Sequence, residues 1–171
     1  GGCVGCQAPG PVDAKSRDSW FKDFQNMREE ALRAIGYAGG VFEELSWTQT
    51  SFIQPQMHPY DRYFYDNQKY TVDRFLDDLE TRYGGVDAIV MWPTYTNIGV
   101  DDRNQFDYFR AMPGGLDAVR NITNQLKARG VRVLWPYNPW DTGTRREDPD
   151  DDATTFARLL KETNGDGFSD N

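Results

Sequence analysis

The chain has 171 residues, with 27 Asp and Glu against 19 Lys and Arg, a formal net charge of −8. A surface of that sign repels phosphate, so nucleic acid and an anionic membrane face are not expected partners, while neutral ligands, cations and basic proteins stay open. No apolar run approaches the roughly 20 residues of a membrane-crossing helix, so no membrane span is expected.

Residues 1–12 are rich in Gly and Pro and read as a flexible lead-in. A single α/β domain is expected over 13–171, as part of a larger barrel. Cys3 and Cys6 are the only cysteines and His58 the only histidine. Two thiols cannot complete a structural zinc site, and one imidazole makes no His-rich metal site, so no metal is expected. His58 sits in Met57-His58-Pro59-Tyr60, a packing context rather than a catalytic one.

Trp20, Phe21, Phe24, Met27, Ala31 and Leu32 recur at three- and four-residue spacing, which predicts an N-terminal helix stopped by Gly36. Val41–Leu45 and Thr50–Gln54 are each expected as short strands. Met57–Asp66 then reads as a long aromatic loop.

From Thr71 the alternation is regular. A helix is predicted over Thr71–Tyr83, with Val72, Phe75, Leu76 and Leu79 on one side and Gly84-Gly85 as its end. The run Val86–Trp92 is a strand stopped by Pro93. A second helix is predicted over Leu116–Ala128 and a second strand over Val131–Trp135, stopped by Pro136. A third helix is expected over Ala153–Thr163, followed by one more short strand beginning in 164–171. Near-continuous apolar strands alternating with helices indicate a parallel sheet joined by right-handed crossovers. The acidic run Glu147-Asp148-Pro149-Asp150-Asp151-Asp152 reads as a solvated loop and a helix N-terminus, where carboxylates suit the dipole, with a calcium site as the alternative.

In parallel α/β folds ligands meet the loops after the strands' C-terminal ends. Three such ends here carry aromatics, amides and carboxylates: Trp92–Asn97, Trp135–Arg145 and Ser169–Asn171. A sugar suits that composition, because its C–H face stacks on flat rings and its hydroxyl rim takes hydrogen bonds. Trp92, Tyr95, Trp135 and Trp140 are the candidate platforms, with plugging the top of the core as the alternative for Trp92 and Trp135, and Asp101, Asp102, Arg103, Asn138 and Asp141 are the candidate polar partners. Gly84-Gly85 and Gly114-Gly115 lack the spacing of a phosphate-cradling loop, so no nucleotide cofactor is expected. The triplet Asn121-Ile122-Thr123 permits N-glycosylation of a secreted chain. The sequence does not fix the compartment, and a secreted or extracellular location is the favoured one.

The segments Asp87–Pro93, Met112-Pro113-Gly114-Gly115, Gly130–Thr144 and Gly165–Asn171 resemble the first half of glycoside-hydrolase (β/α)8 barrels, nearest to the α-galactosidase and α-glucosidase group. The resemblance covers about residues 41–171. It implies half of a TIM-type barrel, which in full needs about 250 residues. It also implies carbohydrate as the substrate class and a nucleophile at the end of the fourth strand. That group reads roughly Asp-Gly-x-x-x-Asp there; this chain reads Asp166-Gly167-Phe168-Ser169-Asp170, one residue shorter. The resemblance makes Asp170 the nucleophile or a substrate-binding carboxylate, with Asp141 the in-chain candidate for an acid. Glycosidases need two carboxylates, and the group's second usually comes from a later strand. A second polypeptide or self-association completing the sheet is therefore expected. The competing readings are a non-catalytic carbohydrate-binding subunit and an interaction protein built on a half-barrel.

Overall fold

The computed structural model describes residues 10–93 and 99–170. Cys3, Cys6, Tyr95 and Asn171 lie outside the described residues, as does most of the expected lead-in. The chain divides into two compact units, Gly1–Ser46 and Trp47–Asn171.

The first unit holds helix α1 (Arg17–Ala34) and the short helix α2 (Gly40–Glu44). In α1 the expected apolar spacing is helical, and Trp20 stacks on Phe24 with ring centroids 5.5 Å apart, yet no residue of α1 is buried. The strand expected at Val41–Leu45 is a helix instead. Val41, Phe42 and Leu45 fit one face of a helical turn as readily as an extended run, and the left-handed Gly39 (φ 73°) turns the chain into it.

The second unit begins its sheet with β1 (Gln56–Met57). The strand expected at Thr50–Gln54 does not form. Its amides at Phe52 and Ile53 donate instead to Asp87 Oδ2, at 2.9 and 2.8 Å. The aromatic stretch that follows is more ordered than a loop. It contains a two-residue hairpin, β2 (Tyr65–Asp66) and β3 (Lys69–Tyr70). Its turn residues Asn67 and Gln68 both have positive φ, 47° and 60°, as a type I′ turn requires. Phe64, fully buried, wedges edge-on against Phe75.

Helix α3 (Val72–Tyr83), strand β4 (Ala88–Met91), the single turn α4 (Asp107–Arg110), helix α5 (Gly115–Ala128), strand β5 (Arg132–Tyr137), helix α6 (Asp152–Thr163) and strand β6 (Gly167–Asp170) complete the unit. The sheet order is β1-β4-β5-β6, all parallel, so strands that follow one another in the sheet's chain order are neighbours. The molecule is thus α/β with a parallel four-stranded sheet. β5 runs through Pro136 to Tyr137 rather than stopping before it. Its pairing with β4 ends at Leu134, so beyond that point β5 has β6 alone as partner, and a proline is tolerated.

Side-chain alternation shows where the helices lie. Ile89, Met91, Val133 and Trp135 project from one face into a core with Val72, Phe75, Leu76 and Leu79 of α3, Val119, Ile122 and Leu126 of α5, and Phe156 and Leu159 of α6. All three crossover helices therefore cover the same face. The opposite face carries a smaller cluster of Ala88, Val90, Trp92 and Leu134, with Trp47 packed against it.

Helix ends follow local chemistry. Asp151 caps α6, its side chain accepting from Thr154 N at 2.7 Å, which lowers the carboxyl below its usual range. The acidic run is a helix N-terminus, as expected. Among the described residues no group of three or more His, Cys, Asp or Glu is placed to hold a metal ion. No described helix is long and apolar enough to cross a membrane.

Candidate functional site

The loops after β4 and β5 meet at the C-terminal end of the sheet, and two polar networks join them. The first is built on Gln105, a residue 4% exposed. Its Nε2 donates to Asn138 O at 3.0 Å while its Oε1 accepts from Asn138 N at 2.9 Å. The amide side chain thus pairs with the backbone of Asn138 as a neighbouring strand would. Gln105 N also donates to Asp141 Oδ2 at 2.8 Å, and Thr144 Oγ1 donates to Asp141 Oδ1 at 2.6 Å. Asn138 Oδ1 accepts from Trp140 N at 3.0 Å. The tight turn Asn138–Thr144 is held at its start, middle and end.

The second network is ionic. Asn104 Oδ1 accepts from the amides of Phe106 and Asp107 at 3.0 and 2.9 Å, starting α4. Its Nδ2 donates to Arg145 O and to Glu147 Oε1 at 3.0 and 2.7 Å. Arg110 grips Glu147 with two bonds, 2.7 and 2.9 Å. Asp107 takes Arg110 Nη1 on one oxygen at 2.9 Å and Arg145 Nη2 on the other at 2.6 Å. Charge-assisted, two-pronged bonds of this kind are the strong ones. The Arg110 guanidinium holds the Glu147 carboxyl down to about 2, against the opposing effect of burial. Burial pushes the Asp107 carboxyl up, but bonds from Arg145, Arg110 and the Asn104 amide outweigh it and leave the group below its usual range. Both carboxylates stay charged at neutral pH, and their work is to tie the two loops together.

The expected site residues divide sharply on this frame. Trp135 is not a ligand platform. It points to the helix face with no exposure, packs edge-on against Phe109 at 4.9 Å, and donates Nε1 to Thr163 Oγ1 at 3.0 Å. Trp92 is 3% exposed and belongs to the small cluster on the opposite face, where its carbonyl lies 3.2 Å from His58 Nδ1. Both plug the core rather than line a cleft. Trp140 is the reverse, 81% exposed at the tip of the β5 loop.

Asp101 and Arg103 close on each other, Nε donating to both carboxylate oxygens at 2.8 and 2.9 Å, with the guanidinium over the buried Tyr108 ring. The Asp102 carbonyl accepts from Arg145 N at 2.9 Å, a further tie between the loops. Asn138 and Asp141 are loop pins as described, with each oxygen of Asp141 accepting one bond within this network. Asp170 closes β6, in register with Tyr137. In the triplet Asn121-Ile122-Thr123, Asn121 is exposed, whereas the Thr123 hydroxyl is buried and donates to Val119 O at 2.8 Å.

Gln105, Asn104, Asp107, Arg110 and Glu147 escaped the sequence reading. Their partners lie 33 to 43 positions away in most of these bonds, and no spacing rule spans that distance. The one local signal is the stretch Asn104-Gln105-Phe106-Asp107, where three polar residues sit among aromatics that must be buried.

An apolar groove of about 240 Å³ lies between α6 and the Tyr137 and Phe168 side chains of β5 and β6, lined further by Asp152, Ala153, Phe156, Ala157 and Leu160. No protein-family model and no curated protein sequence matches the chain.

Proposed function

We propose that this chain is a carbohydrate-active part of a (β/α)-barrel, of the glycoside-hydrolase kind, with its ligand bound at the loops after β4 and β5 and the C-terminal end of β6. The observation that carries the reading is the order of the sheet. Four parallel strands stand side by side in chain order, with every crossover helix on one face. A doubly wound sheet places helices on both faces; a barrel wall places them on one. The groove between α6 and Phe168 supports the same reading, because it lies where the next helix of a barrel would pack. That helix, and the second carboxylate a glycosidase needs, would come from a further polypeptide segment or a second copy.

In this reading Asp170, at the strand end, is the carboxylate that acts on the sugar, and Trp140 stacks on its apolar face. A non-catalytic carbohydrate-binding subunit would share the platform and lack the turnover. Calorimetric titration with a panel of neutral oligosaccharides, alongside hydrolysis of aryl glycosides, tests the two together. Binding with turnover that Asp170→Asn abolishes supports the hydrolase. Binding that Asp170→Asn leaves unaltered moves the conclusion to the binding subunit; absence of turnover alone does not, because the second carboxylate would come from elsewhere. No binding at millimolar sugar overturns the carbohydrate reading.

A further inference from the structure

Trp140 is a large apolar ring that the chain leaves 81% exposed, in a loop otherwise dense with hydrogen bonds. A ring left in water on a mobile loop would lose orientational freedom on binding, and that loss would weaken any ligand. The chain limits this loss from beneath, at the backbone. Gln105 is buried, comes from the other loop, and makes both of its side-chain bonds to the backbone of Asn138, at 3.0 and 2.9 Å. Asn138 in turn accepts from the Trp140 amide at 3.0 Å. Pro139, between them, has a fixed φ, so the path from Gln105 to the backbone of Trp140 contains little free torsion, and only the ring's own χ1 and χ2 lie beyond it. Across the turn, Asp141 is held by the Gln105 amide and by Thr144.

We infer that Gln105 is a positioning residue: through Asn138 it fixes the backbone that carries Trp140, the platform for the apolar face of a sugar ring. The inference rests on the carbohydrate reading and adds to it the residue that sets the platform's geometry. Gln105 touches no ligand and is not itself a binding group. Its amide cannot be replaced by a carboxylate without cost, since Asn138 presents both a donor and an acceptor, and only an amide answers both.

The test compares the full chain with Gln105→Leu and Trp140→Ala. Time-resolved anisotropy isolates Trp140 by difference against Trp140→Phe, and titration with the neutral oligosaccharide panel measures affinity. Circular dichroism must first show the same secondary structure in all four proteins. If Gln105→Leu fails to fold, Asn138→Ala, which keeps the backbone pair and removes only the bond to the Trp140 amide, takes its place. The expected result is a loosened Trp140 in Gln105→Leu, with sugar affinity down roughly tenfold, the scale of one to two hydrogen bonds. Trp140→Ala should lose more than that. A Trp140 as ordered in Gln105→Leu as in the parent overturns the positioning role whether or not sugar binds. Sugar binding untouched by Trp140→Ala overturns the platform while leaving the carbohydrate reading intact. If no sugar binds the parent chain, the carbohydrate reading fails, and the anisotropy alone decides whether Gln105 orders the ring.

Discussion

Replacing Glu147 by Gln removes one charge from the knot that ties the β4 loop to the β5 loop. The side chain is 13% exposed and accepts two bonds from Arg110 and one from Asn104. Its carboxyl is held at about 2 in the folded chain against an ordinary 4.5. Each unit of such a shift corresponds to about 1.4 kcal/mol, so the full difference is about 3 kcal/mol; solvent screening at this partly wet site brings the expected loss to about 1–3 kcal/mol. Because the folded value is the lower one, this stability is present above the unfolded pKa and fades as pH falls from 4.5 towards 2. Urea unfolding at pH 7 and pH 3 separates the parent from Glu147→Gln. At pH 7 the variant should be less stable by the amount above. At pH 3 the gap should shrink by more than half, since the unfolded parent has by then taken up the proton. An equal gap at both pH values would refute the electrostatic account and leave only lost packing. No gap at pH 7 would show that the knot contributes nothing to stability.

Three further outcomes follow from packing and backbone geometry. A methyl group at Gly165 would collide with the Trp135 indole and meet Leu160 Cδ2 at 2.9 Å, so Gly165→Ala should cost about 1–3 kcal/mol in chemical denaturation, the scale of an overpacked core. Thr163→Val should cost about 1–3 kcal/mol in the same assay, because it leaves the Trp135 Nε1–H buried without its acceptor. Gln68 holds φ 60° in the β2–β3 turn, so Gln68→Gly should raise stability by about 0.5–1 kcal/mol; a loss would mean that the Gln68 side chain contributes more than its backbone strain costs.

The chain's βα rhythm was legible because burial imposes local periods. The 3.6-residue spacing of Val72, Phe75, Leu76 and Leu79, and the unbroken apolar run into Met91, follow from one-sided and two-sided burial, and both are visible within a dozen residues. Composition and spacing were also enough to place polar and aromatic residues at the strand ends. They were not enough to say which way each ring turns. Trp135 and Trp140 stand five positions apart in similar Pro-Tyr-Asn-Pro surroundings, yet one is wholly buried and the other 81% exposed. The difference is set by strand alternation across the β5–β6 register, which directs Trp135 at α5 and α6, and by a turn that carries Trp140 beyond them. The short segment Val41–Leu45 was likewise ambiguous, since four or five apolar and acidic residues satisfy either period.

What the sequence determined by itself is the class of the chain: α/β, parallel, acidic, with polar and aromatic residues gathered after the strands. What only the tertiary structure decided is the identity of the groups that hold that end together. Gln105 with Asn138, and Arg110 with Glu147, meet because parallel strands with helical crossovers bring loops more than 30 residues apart to one edge of the sheet. A hydrogen bond leaves no periodic trace in a chain when its partners are joined by a whole crossover.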